Sequence, residues 1–197
     1  MDRKSEKRKQ AIVVLHEIYG VNQFVKEKYQ KYIEAGYDVF CPNMIDRASF
    51  SYEESKEAYD FFINNVGFEV YKEVSDFVNE LKDKYNNVFI IGFSVGATIA
   101  WRCSENTLCS GIVACYGSRI RDYTNINPIC PTLLIFANED SFDVHALVCQ
   151  LQDKQHLSIL ECDAQHGFLD PYSKRYNDKQ SRLAEEAITC FINECTK

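Results

Sequence analysis

The sequence of 197 residues contains no CxxC pair, no HExxH and no GxGxxG. The first absence removes the usual zinc and dithiol redox spacings, the second a helical zinc-protease site, the third a dinucleotide fingerprint. Nothing therefore calls for a metal or an organic cofactor. No apolar leader stands at the start of the sequence. The longest apolar stretch, 89–101, is too short and too interrupted to span a bilayer. Positive charge is in the minority, with a formal net charge of −7, which argues against a general nucleic-acid surface or an anionic membrane as partner. Repeats, linkers and low-complexity segments are missing as well.

Cysteine is plentiful, with nine in all, an odd number. Cys41, Cys115, Cys130, Cys149 and Cys162 lie inside apolar stretches. They read as reduced core thiols, which fits a cytoplasmic protein. Residues 1–10, MDRKSEKRKQ, read as a basic solvated tail, and 11–197 as a single domain. Within it, short apolar runs at 11–15, 37–41, 87–92, 111–116, 132–137 and 157–162 predict strands. Nearly continuous runs are what strands buried on both faces require. Amphipathic segments at about 21–35, 52–64, 68–85, 95–103, 143–153 and 179–195 predict helices. Strand and helix alternate from end to end. The expected fold class is therefore α/β, a mostly parallel sheet with helices on both faces. Residues 119–131 read as a long loop.

The chemistry is concentrated at 88–101, VFIIGFSVGATIAW. A buried strand runs into Gly92-Phe93-Ser94-Val95-Gly96 and then into a helix, the context that gives G-x-S-x-G its meaning. The tight turn needs small residues and lifts the Ser94 hydroxyl above the sheet, at the positive end of the next helix. The Val95 amide then points to where an oxyanion would form. A serine hydroxyl needs a base. Of the four histidines, His166 alone follows the last strand in a glycine-containing loop, and it alone fits the chain order Ser, acid, His. The acid should follow the strand before that one. Glu139, Asp140 and Asp143 all lie near its end in TLLIFANED and just beyond. Asp140 is the preferred choice, with Asp143 as the alternative that would otherwise cap the following helix. The first strand ends in Leu15-His16-Glu17-Ile18-Tyr19-Gly20, and the loop after it normally supplies a second oxyanion donor, here the Ile18 amide.

Taken together, H-E-I-Y-G at 16–20, C-P-N-M at 41–44, G-F-S-V-G at 92–96, Y-G at 116–117, N-E-D-S-F at 138–142 and Q-H-G-F at 165–168 make the chain resemble the dienelactone hydrolase family. The resemblance runs from about residue 11 to 193. It implies an α/β-hydrolase fold with catalytic Ser94, Asp140 and His166, oxyanion donors at Ile18 and Val95, and an elbow-facing glutamate at Glu17. Arg47 falls on an arginine that helps hold a substrate carboxylate in the family's best-known members, and Tyr116 and Phe168 are carried as further candidate substrate contacts. Three departures stand out. The nucleophile is Ser94 where those members have Cys. Asp170 occupies the place of a second carboxylate-binding arginine. No counterpart of the family's first β-hairpin precedes Ala11, so about six strands are expected.

The expected activity is hydrolysis of small esters, thioesters or lactones through a covalent acyl-enzyme, with no cofactor and no nucleic-acid or membrane partner. The same triad also serves acyl transfer, and a non-catalytic ligand-binding module is the remaining alternative. A carboxylate at Asp170 would repel an acidic substrate, so neutral esters are expected to be preferred, with Arg47 paired to Asp46 or Asp170.

Overall fold

The six apolar runs pair into one sheet in the computed structural model, which describes residues 10–197. The strands are β1 (Gln10–Leu15), β2 (Asp38–Phe40), β3 (Asn87–Phe93), β4 (Gly111–Cys115), β5 (Thr132–Glu139) and β6 (Leu157–Gln165). Their order is β2-β1-β3-β4-β5-β6, and every neighbouring pair is parallel. Most of the basic stretch at 1–10 lies outside the described residues. Its last member, Gln10, is not part of a tail, because it opens β1 opposite Asn87.

Helices cover both faces. In β1 and β3, Ile12, Val14, Phe89 and Ile91 point to one side, where α1 (Gln23–Glu34) and α6 (Asp178–Glu194) pack. Val13, Leu15 and Ile90 point to the other, against α3 (Tyr71–Lys82), α4 (Val95–Arg102) and α5 (Val144–Leu151). The period of two sends alternate residues to opposite faces, and both faces are dry, so these strands read as unbroken apolar runs. α2 (Ser55–Asn65) adds Phe62 to the second side.

The differences from expectation have local causes. β2 is three residues long instead of five. The Tyr37 amide closes the end of α1 by donating to the Tyr32 carbonyl (3.1 Å), and Pro42 cannot donate to a ladder. The segments expected as helices from 52 and 68 each open with a 3-10 turn, Tyr52–Glu54 and Phe68–Val70. Gly67, at φ 67°, separates the second of these from α2. The long loop begins with a 3-10 turn at Ser118–Asp122 and is tied to α4 by the Trp101 indole, which donates to the Tyr123 carbonyl (3.0 Å). All nine cysteines are free thiols, but Cys149 lies on the exposed side of α5, not in the core.

The strand order also locates the site. From β1 the chain crosses by α1 on one face to β2 at the edge. From β3 it crosses by α4 on the other face to β4. Consecutive connections that leave adjacent strands in opposite directions open a crevice at the carboxyl ends of those strands, here β1 and β3. The loop at 16–20 and the turn at Ser94 meet there.

Candidate active site

Ser94 follows β3 directly, with φ 55° and ψ −112°, a conformation an L-residue adopts only when its surroundings impose it. The imposing contacts are visible. The Ser94 amide donates to the Cys115 carbonyl (3.0 Å), which ties the turn to β4. A Cβ on Gly92 would sit 2.2 Å from the Gly96 carbonyl oxygen, and one on Gly96 would sit 2.4 Å from the Leu15 carbonyl oxygen. Both glycines of the motif are therefore required by backbone crossing backbone. Ser94 occupies the cap position of α4, so its hydroxyl sits at the helix's positive end.

The loop after β6 brings His166 over this turn. The Ser94 Oγ and His166 Nε2 are 2.9 Å apart, and His166 Nδ1 is 2.7 Å from Asp140 Oδ2. An ionised carboxylate only accepts, so Nδ1 carries the proton and Nε2 is left to accept from the serine hydroxyl. Asp140 is fixed in turn by the Ser141 amide (2.6 Å) and hydroxyl (3.1 Å), which both donate to its Oδ1. Burial works to raise the Asp140 pKa. The hydrogen bond from His166 and its charge, with the two Ser141 donors, outweigh burial and hold the carboxyl below its ordinary value. Asp143 does something else: it caps α5 by accepting from the Ala146 amide (2.9 Å).

Two amides near the turn, those of Ile18 and Val95, are free of partners among the described residues, and both residues line the cavity at Ser94. Such unpaired donors are what a developing oxyanion requires. The first loop is held by His16, which is fully buried. Its Nε2 accepts from the Met44 amide (2.9 Å), so its Nδ1 carries the proton and donates to the Glu17 carbonyl (2.6 Å). Burial lowers its pKa to about 4, against the Glu17 carbonyl bond that raises it, so His16 is a neutral strut between the 41–44 segment and the loop.

Around Ser94 the crevice opens as two cavities of about 540 and 470 Å³. Both are within the size range of small-molecule sites. They share four residues: Ile18, Ser94, His166 and Arg175. The larger also holds Thr98, Arg119 and Gln165; the smaller holds Glu17, Tyr19, Tyr52 and Asp170. Glu17 is only 4% exposed, and burial pushes its pKa up to about 7, with His166 opposing and Asp170 adding to the rise. Asp170 is 1% exposed; it accepts from the Tyr52 hydroxyl and from the Tyr172 amide (2.8 Å).

The expected substrate contacts are placed elsewhere. Arg47 lines neither cavity and pairs with neither Asp46 nor Asp170. Its guanidinium lies 3.9 Å above the Phe50 ring and 5.2 Å from that of Phe61, a stacking that planar cations favour. Tyr116 and Phe168 are fully buried; Tyr116 packs against the His166 ring (centroids 5.1 Å apart) and Phe168 packs against Tyr116, so neither is cavity wall. Sequence reasoning missed Arg175 and Arg119. Arg175 left one trace, the basic pair Lys174-Arg175 in the loop past His166. The partnership of Tyr52 with Asp170, 118 residues apart, left none. Among the described residues no helix is long and apolar enough to cross a membrane, and no three His, Cys, Asp or Glu side chains group as metal ligands.

Comparison with known proteins agrees with this architecture. The protein YczH of Bacillus subtilis (strain 168) is 42% identical over 173 residues, covering 86% of this chain and 85% of its own. A Klebsiella pneumoniae subsp. pneumoniae MGH 78578 protein, provisionally assigned as a dienelactone hydrolase, superimposes with a TM-score of 0.78 at 14% identity, over 96% of this chain and 88% of that one. The dienelactone hydrolase-like promiscuous phosphotriesterase P91 from metagenomic libraries gives 0.73 at 17% identity, over 96% and 89%. At such identities the structural matches speak for the fold alone. The family model adds the rest: it matches residues 1–196, and the chain belongs to the dienelactone hydrolase family, a hydrolase of the α/β-hydrolase fold.

Proposed function

We propose that this protein is a serine esterase acting on small neutral esters, thioesters or lactones, with Ser94 as nucleophile, His166 as base and Asp140 as the acid that orients the base. The observation that carries this reading is the unbroken run of hydrogen bonds from Asp140 Oδ2 to His166 Nδ1 (2.7 Å) and from Ser94 Oγ to His166 Nε2 (2.9 Å) on a strained elbow. In the reaction Ser94 Oγ attacks the carbonyl carbon as its proton passes to His166 Nε2. The oxyanion is held by the Ile18 and Val95 amides, and Asp140 stabilises the imidazolium. His166 then protonates the departing alkoxide or thiolate. Water, deprotonated by the same imidazole, splits the acyl-enzyme to the acid and restores Ser94.

Residues 10–197 are read as one domain built around this site, and nine free thiols favour a reducing, cytoplasmic setting. Preference for neutral substrates is supported by Arg47, which is occupied by aromatic rings, and by the carboxyls of Glu17 and Asp170 in the smaller cavity. The test is labelling with a fluorophosphonate followed by peptide mapping. A single adduct on Ser94, with loss of p-nitrophenyl acetate hydrolysis, is expected. An adduct on another serine, or turnover that survives labelling, would overturn the assignment.

A further inference from the structure

The two cavities differ in what their walls still need. In the smaller one, no N–H or O–H among the described residues makes a well-formed hydrogen bond to the Glu17 carboxyl. The Tyr116 hydroxyl lies nearby, but it is buried without a partner of ordinary geometry. The neighbouring carboxyl, Asp170, is satisfied twice, by the Tyr52 hydroxyl and the Tyr172 amide. Tyr52 has committed its proton there, and its oxygen accepts from Asn22 Nδ2 (3.1 Å). The Tyr116 hydroxyl can fill at most one acceptor position of the Glu17 carboxyl, so the inner wall of this lobe still presents open acceptor capacity, one residue from the Ile18 amide. A buried polar group without its complement is costly, and a ligand that brings the missing donor removes the cost.

The surroundings say what kind of donor. Three acids, Glu17, Glu53 and Asp170, face the lobe together with two cations, Lys174 and Arg175, and with His166 at its mouth. Neither sign dominates, so the complement is a neutral group. The Tyr19 and Tyr52 rings, with centroids 4.8 Å apart and tilted at 58°, give that group an aromatic wall.

Resting on the esterase reading above, we propose that this lobe binds a hydroxyl-bearing part of the ester, with a hydroxyl near the scissile carbonyl donating to Glu17. The substrate class is then a small hydroxylated ester. The hydroxyl comes either from the alcohol side, as in a polyol monoester, or from the acyl side, as in a hydroxy-acid ester.

Two isosteric pairs separate these sources, each rate being divided by that of alkaline hydrolysis. They are 2-hydroxyethyl acetate against propyl acetate, and ethyl glycolate against ethyl propionate. We expect kcat/KM to favour the hydroxyl about tenfold or more in one pair. That is less than the largest discriminations known for a site built to bind a hydroxyl, because this lobe is open to water. Glu17→Leu should bring the ratio close to one, whereas Glu17→Gln, which keeps an acceptor oxygen, should retain most of it. If the wild type treats both pairs alike, or if the preference survives in Glu17→Leu, the proposal fails, and the esterase reading stands so long as p-nitrophenyl acetate is turned over and Ser94 is labelled. No turnover of any ester together with no label on Ser94 would overturn both.

Discussion

Asp140→Asn isolates the orienting acid with little change of shape. In the wild type Oδ1 is held by two Ser141 donors, so Oδ2 alone is left to face His166. An asparagine keeps its oxygen on the Ser141 donors and turns its NH2 toward Nδ1. Two donors cannot face each other, so the imidazole moves its proton to Nε2. That is the atom that must accept from Ser94, 2.9 Å away. The loss has two parts: the wrong tautomer at rest, and no charge to stabilise the imidazolium when it forms. The same exchange in a serine protease lowers turnover by about 10⁴-fold, or roughly 5 kcal/mol of barrier at 1.36 kcal/mol per factor of ten. We expect a loss of that order in kcat/KM for p-nitrophenyl acetate and a matching fall in the rate of fluorophosphonate labelling. Asp143→Asn is the control. Its carboxylate only caps α5, and asparagine caps as well, so activity should stay within about twofold. A loss of less than about tenfold in Asp140→Asn, or an equal loss in Asp143→Asn, would refute the reasoning.

Ser94→Ala should leave only the residual catalysis of binding and the oxyanion donors, and mass spectrometry should find no phosphonate adduct on any other serine. Glu17 changes stability with pH. Its carboxyl ionises near 4.5 when exposed and near 7 in the fold, so the folded chain binds the extra proton between those values and loses stability as pH rises through them. The cost is about 3 kcal/mol above pH 7. Urea unfolding should therefore show Glu17→Gln gaining on the wild type from almost nothing at pH 4 to about that amount at pH 8; a constant difference would refute it. Gly96→Ala drives a methyl into the Leu15 carbonyl. It should destabilise by more than about 3 kcal/mol in thermal or urea unfolding, and a stable, active variant would contradict the packing described. Arg47→Met should lose about 0.5–1 kcal/mol of stability, the worth of an exposed cation–π contact, with kcat/KM for a neutral ester unchanged within twofold.

The sheet was legible because its central strands, β1, β3, β4 and β5, are dry on both sides, and continuous apolar runs say so directly. The Ser94 turn was legible for a related reason: Gly92 and Gly96 are forced by backbone contacts, so the motif and its flanks travel together. Asp140 could be separated from Asp143 only incompletely, since both lie in one short loop and either can cap or orient. In the fold the two carboxylates have different partners, His166 for Asp140 and the Ala146 amide for Asp143. The cavity walls were the least legible. Arg47 was read from a place in a motif, yet its side chain follows Phe50 and Phe61, which no local spacing links to the site. Its place in the motif makes Asp170 a charge facing the ligand, but its acceptor capacity is shared with the Tyr172 amide and with Tyr52, a residue far away in the chain.

The two cavities share Ser94, His166, Ile18 and Arg175, so on the proposed serine-esterase reading an ester attacked at Ser94 would have its two halves in different cavities, each with its own way out. On that reading, the alcohol would drain from its chamber once the bond breaks, while the acyl group stayed anchored on Ser94 in the other. What next enters the emptied chamber meets His166 as base and decides the product. Water gives the free acid; a second alcohol able to lodge there gives a new ester. The balance between hydrolysis and exchange is thus a matter of occupancy in one chamber, adjustable by the concentration of competing alcohol without altering any group that performs the chemistry.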